Sequence, residues 1–255
     1  MTNNNPWKGL ESYKYSDAGQ FYGRDQELCD LAEIIRQNSF TTIYGISGAG
    51  KTSIINAGLC PLLDKEHFLP VYIRLNHGKD RISYDQQIIN ATENALIKIG
   101  GEAEKSHDVD VESEFDQLWL YFHSHTFWTK DNHKIAPVLF IDQFEEIFTK
   151  NDDVNDIWSF FNIIDSLQYN MPTERILNLI QANGKSITFG EEANFRVVFS
   201  MREDFLPRLE DYCFDIPAMR RNRVGLKSLN GLQAIEVITK PCPGVVTREV
   251  ALHII

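Results

Sequence analysis

The stretch GISGAGKTS, Gly45 to Ser53, grows out of the apolar run TTIYGI (41–46) and leads into an amphipathic segment. It fits G-x-x-x-x-G-K-[ST], with Gly45, Gly50, Lys51 and Thr52 in register. Each residue type has a physical reason to be there. Glycines let a loop wrap tightly, so that successive N–H groups of Ser47, Gly48, Ala49 and Gly50 can face phosphate oxygens. The following helix would present its positive end to the same anion. Lys51 would reach the outer phosphates, the hydroxyl of Thr52 would ligate Mg²⁺, and Ser53 completes the loop. A chance glycine turn would not need a strand before it and a helix after it.

Working outward, four further apolar runs read as strands: PVYIRLN (70–76), PVLFID (137–142), FRVVFSM (195–201) and RVGLKSL (223–229). The runs at 137 and 195 are almost unbroken in hydrophobicity, which suits strands buried on both faces of a parallel sheet. Helical periodicity fills the gaps at 25–37, 51–60 (ending at Pro61), 84–99, 114–128 and 154–169. Strand and helix in alternation predict a doubly wound α/β domain. The acidic segment Gly101 to Asp116, with seven acids and one lysine, reads as a solvated loop, and 183–194 as a surface loop or hairpin. Thr247 is the expected N-cap of a last helix, one with no stop signal before the chain ends, which suggests a piece of a longer protein.

Composition narrows the partners. A net charge of −11 disfavours general nucleic-acid binding or an anionic membrane surface. No apolar run approaches the roughly 20 residues of a membrane helix, and the N-terminus lacks a signal-peptide pattern. Four cysteines without a CxxC pair read as reduced thiols in a cytoplasmic protein.

The stretch LFIDQFEEIF (139–148) places three carboxylates at the lip of a buried strand, where their repulsion is costly unless a cation sits among them. Asp142 is therefore the expected direct or water-mediated Mg²⁺ ligand. Glu145 or Glu146 would orient or deprotonate an attacking water, with a slight lean to Glu146, although either could simply begin a helix. SMREDF brings Ser200 and Arg202 to the same sheet edge, where Arg202 could sense a γ-phosphate or pair with a nearby acid. Upstream, Tyr22, Gly23 and Arg24 could floor an adenine site, with Asp25 as the cap of the next helix. TKND (149–152) is too close to Asp142 to read guanine, and HSH (123–125) puts its histidines on different helix faces. RRNR (220–223) could supply a trans-acting arginine, but a solvated basic turn is the preferred reading.

Together PWKGLESY (6–13), FYGRDQEL, GISGAGKTSIINAGLCPLL, IDQFEEIF and MREDFLPRL resemble the STAND class of signalling NTPases, and most closely its bacterial "novel STAND NTPase" group. The resemblance implies an ASCE/AAA-like P-loop NTPase, a three-layer sandwich with a mainly parallel five-stranded sheet. It implies an N-terminal segment packed on the core (1–20), the core itself (21–229) and the start of a helical lid (230–255). It further implies ATP or ADP with Mg²⁺ at Gly45–Ser53 and Asp142, acidic partners Glu145 and Glu146, and Arg202 as sensor. Glu203 stands where the group often has a small residue. The function implied is a nucleotide-controlled switch that self-associates on activation, with sensor and effector regions C-terminal or on a partner chain, plausibly in antiphage defence. An ATP-dependent motor or remodeller, and a nucleotide-binding scaffold with negligible hydrolysis, are the alternatives.

Overall fold

The computed structural model describes residues 7–9, 11–105, 114–151, 153–168, 174, 177–178, 195–214 and 216–255. All five expected strands are present: β1 (Phe40–Gly45), β2 (Phe68–Ile73), β5 (Lys134–Ile141), β6 (Arg196–Arg202) and β7 (Arg223–Gly225). They pair in parallel in the order β2-β5-β6-β1-β7. Two short strands, β3 (Glu102–Lys105) and β4 (His125–Trp128), extend the sheet antiparallel from the first residues of β5. Among the described residues the sheet thus has seven strands, five of which form the parallel core.

Alternation along each strand builds a three-layer sandwich. Val138 and Phe140 of β5, Val198 of β6 and Ile43 of β1 face one layer, made by helix Asp25–Gln37 and the helix after the glycine loop. Leu139, Ile141, Val197, Phe199 and Met201 face the other, made by helices Tyr84–Ile99, Glu114–Ser124 and Val154–Gln168. Phe140 and Phe199 have no solvent exposure, as expected for strands covered on both faces. The strands at 137 and 195 are therefore rigid supports for whatever stands at their carboxyl ends.

Several local expectations are overturned by the structure. The helix expected at 114–128 stops at Ser124, because the β-favouring His-Thr-Phe-Trp run pairs with β5 instead. The acidic segment starts as a strand, since Glu102–Lys105 pairs with β4 and Glu104 accepts a bond from the Trp128 indole at 3.0 Å. Residues 106–113, and the segment 183–194, lie outside the described residues. The helix after the loop does not end at Pro61. It runs as α-helix over Lys51–Ser53, widens to a π-helix over Ile54–Leu59, and continues through Cys60–Leu63. In the wide turn the Cys60 N–H bonds to the Ile55 carbonyl, five residues back. Widening relieves the clash a proline ring would make with the carbonyl four residues earlier, so Pro61 is accommodated.

Helix Asp25–Gln37 is preceded by Arg24 at its N-cap position rather than Asp25, which sits in the first turn. Thr247 caps helix Arg248–Ile254 as expected, accepting from the Val250 N–H at 3.3 Å. The four cysteines are free thiols, Cys60 and Cys213 being buried. No helix among the described residues is long and apolar enough to cross a membrane.

Candidate functional site

The parallel register fixes which residues meet. Gly45 at the end of β1 lies beside Arg202 at the end of β6, and Ile141 of β5 lies between Phe199 of β6 and Ile73 of β2. Asp142, the first residue past β5, is thereby set at the carboxyl edge among the ends of β1, β6 and β2. A cavity of about 510 Å³ opens there. The loop Ser47–Ser53 lines it together with Asp142, Glu145 and Arg202. Gly48 and Gly50 hold φ of +80° and +90°, and a Cβ on either would meet nothing within 4 Å, so both face open space.

The carboxylate turn is shaped by one unusual residue. Gln143 takes φ of +53°, in the left-handed region that side chains other than asparagine, aspartate or glycine seldom adopt. That bend lets the Phe144 N–H reach the Ser200 carbonyl at 2.9 Å and drops Phe144 into the core. It also separates the two glutamates. Glu145 turns into the cavity, where its Oε2 accepts the backbone N–H of Arg202 at 3.2 Å. Glu146 turns out to a neighbouring cavity and is pinned by Arg74 at 2.5 Å and Lys150 at 2.8 Å.

Their chemistry diverges with their surroundings. Burial pushes the Glu145 carboxyl above the ordinary glutamate range, and the nearby Asp142 charge pushes the same way; the Arg202 N–H and Lys51 offset this in part. Burial also opposes ionisation of Glu146, but the bonds to Arg74 and Lys150 outweigh it and hold that carboxyl low. Burial lowers the Lys51 ammonium, against the pull of the Glu145 and Asp142 charges. Lys51 Nζ donates to the carbonyls of Gly45 and Ile46, both at 2.9 Å, and so bridges the base of its own loop.

The residues present fit a divalent cation and a polyphosphate. Thr52 Oγ1 donates to Asp142 Oδ2 at 2.7 Å, which places a hydroxyl and a carboxylate together as hard oxygen donors. Asp142 is 2 % exposed, and its Oδ1 has no hydrogen-bond partner among the described residues. A buried carboxyl oxygen left so is costly in the interior and calls for a cation or a water.

Arg202 lines the cavity but carries a two-pronged ion pair to Asp204, at 3.0 and 2.6 Å. Ser200 is buried beneath the rim rather than facing the cavity. Of the three upstream residues, Tyr22 and Arg24 line the cavity, whereas Gly23 does not. Gly23 takes φ of +77° and packs against helix Gly231–Thr239, where a Cβ would stand 2.8 Å from the Gln233 carbonyl oxygen. Arg24, only 5 % exposed, donates to the Ala49 carbonyl at 2.9 Å, the Lys227 carbonyl at 2.7 Å and Glu27 at 2.8 Å. Glu27 in turn accepts from Gln233 at 2.7 Å. One guanidinium thus ties the glycine loop to the segment after β7 and, through Glu27, to helix Gly231–Thr239.

Other lining residues carried no chemical signature in the sequence. Tyr13, Phe21, Leu229 and Val237 give the cavity an aromatic and aliphatic wall, with the Tyr13 and Phe21 rings 5.6 Å apart. The N-terminal segment is joined to the loop helix by Tyr13 N–H donating to Ser53 Oγ at 3.1 Å. It is joined to helix Gly231–Thr239 by the Trp7 indole donating to the Ile238 carbonyl at 3.2 Å. The histidines of HSH and the arginines of RRNR do not line the cavity. His123 and His125 bond to the carbonyls of Trp119 and Tyr121, and Arg220 and Arg223 pair with Glu210.

A glycine loop between a central parallel strand and a helix, facing an acid at the end of a neighbouring strand but one, defines a P-loop NTPase. The chain belongs to the family described as Novel STAND NTPase 1, whose sequence profile matches residues 6–249. Its fold is similar to that of a Walker-type ATPase of Pyrococcus abyssi, with a TM-score of 0.56 at 11% identity over 96% of this chain and 65% of the other. It is also similar to Cdc6p of Pyrobaculum aerophilum, with a TM-score of 0.51 at 13% identity over 98% of this chain and 55% of the other. The chain therefore spans less than two thirds of either relative. No curated protein matches the sequence.

Proposed function

We propose that this chain is the nucleotide-responsive unit of an ATP-driven signalling switch. The observation that carries the reading is the make-up of one cavity. Lys51, Thr52, Asp142, Glu145 and Arg202 line it together with Tyr13 of the N-terminal segment and Val237 of helix Gly231–Thr239. A nucleotide there would touch hydrolytic groups and two walls from outside the sheet core at once. Its phosphate state could then bias how those walls pack.

ATP and ADP fit the division of the wall into a polar loop and an aromatic and aliphatic patch. The amides of Ser47 to Thr52 would receive the phosphates, and Lys51 would exchange two carbonyl bonds for phosphate oxygens. Thr52 and Asp142 would hold Mg²⁺, which when bound supplies positive charge to the phosphates. Glu145 is the better candidate for the base, because it faces the cavity and its raised proton affinity suits it to take a proton from water. Water oxygen would bond to the γ-phosphorus as the bond to the bridging oxygen breaks, with the proton passing to Glu145. Arg202 would have to leave Asp204 to reach a phosphate, which makes it a sensor rather than a standing ligand. Glu146, held by Arg74 and Lys150, would brace the turn.

Self-association on activation, sensor and effector regions elsewhere, and a role in antiphage defence belong to the same proposal, supported by family membership. Hydrogen exchange tests the switch on the chain itself. Segments 11–20 and 231–239 should exchange differently with ADP and with a non-hydrolysable ATP analogue, both with magnesium. Identical exchange in the two complexes would contradict a switch and favour a scaffold.

A further inference from the structure

We infer that Tyr72, on the edge strand of the parallel sheet, is a positioning residue for the magnesium ligand Asp142. The inference rests on the nucleotide and magnesium reading of the cavity, and assigns a role to a residue outside the loop and the acidic turn.

Tyr72 lies in β2 opposite Phe140 of β5, on the sheet face shared by Asp142 two residues further on. The phenol donates to Asp142 Oδ2 at 2.9 Å. That oxygen is the one that also accepts from Thr52 at 2.7 Å. Two hydroxyls from separate elements, a strand and the loop helix, therefore converge on one carboxylate oxygen. A single donor would leave the carboxylate free to rotate about its Cβ–Cγ bond. Two donors at different angles fix its plane and leave Oδ1 as the oxygen without a protein partner.

The two donors come from opposite sides of the carboxylate's surroundings, Thr52 from the helix after the glycine loop and Tyr72 from β2. Thr52 can then offer its oxygen lone pair to the cation while its O–H keeps donating to Asp142. The Tyr72 hydroxyl supplies to Oδ2 a hydrogen bond that water would otherwise give.

Tyr72→Phe removes one hydroxyl and keeps the ring. The test is titration of a fluorescent adenine nucleotide, first in chelator and then against stepped magnesium, with wild type and Y72F side by side. Y72F should bind nucleotide in chelator as wild type does and keep its melting temperature. The magnesium concentration for half of the metal-dependent gain in affinity should rise about tenfold, the scale of one hydrogen bond to a charged group. Coincident magnesium curves would overturn the assignment. So would loss of nucleotide binding by Y72F already in chelator, which would make Tyr72 a support of the fold. If wild type binds no nucleotide under either condition, the reading of the cavity falls, and the role of Tyr72 with it.

Discussion

Lys51→Ala is expected to lower affinity for ATP and ADP by about 100-fold or more, the cost of losing charge-assisted bonds to phosphate. The ammonium is half-buried and bonds the Gly45 and Ile46 carbonyls at the base of its own loop. Those two bonds are the ones it would exchange for phosphate oxygens when a ligand arrives. The substitution leaves Glu145 and Asp142 without their shared cation, which adds repulsion toward an incoming triphosphate. The loop backbone should survive, because its conformation rests on Gly48, Gly50 and the Arg24 bond to Ala49. Equilibrium titration of fluorescent nucleotide, with melting temperature as control, reads the effect. Unchanged affinity in K51A would mean that the ligand sits elsewhere.

Glu145→Gln is expected to slow hydrolysis by roughly 10²–10⁴, the range for losing a general base, with nucleotide affinity kept. Glu146→Gln should cost less than about fivefold, since it disturbs only an ion pair with the half-exposed Arg74 and Lys150. The contrast follows from one backbone angle, the positive φ of Gln143 that sends the two glutamates to different cavities. Acid should reveal the same base. Burial raises the Glu145 carboxyl above the usual glutamate value of about 4.3, so the wild-type rate should begin to fall at a higher pH than an ordinary glutamate would give. Below that point the carboxyl holds its proton and cannot accept another. Single-turnover rates across acidic pH for wild type, E145Q and E146Q test both statements. Equal loss in the two variants would reject the division of roles.

The parallel core was legible because strands buried on both faces must be apolar throughout, and the runs at 137 and 195 are. β3 was not, because an edge strand such as Glu-Ala-Glu-Lys carries no periodic apolar signal and owes its place to a partner. The helix through Pro61 was misread for a related reason. Proline normally ends a helix, and a π-turn that absorbs its ring is written in tertiary packing rather than local propensity. At the site, spacing alone brought Gly45–Ser53, Asp142 and Arg202 to one sheet edge. Arg24, read as part of a base-binding floor, lines the cavity and is held there by bonds to the glycine loop and the segment after β7. Tyr72, Tyr13 and Val237 had no signature, since an aromatic or aliphatic residue at core spacing reads the same whether it faces core or ligand.

The central claim is that a magnesium-bound nucleoside triphosphate occupies the cavity between the glycine loop and Asp142. A crystal structure of this chain with a non-hydrolysable ATP analogue and magnesium addresses it directly. The phosphates should lie against the amides of Gly48 to Thr52, with the metal beside Thr52 and Asp142. Density for the analogue at any other place, with the loop left bare, would contradict it.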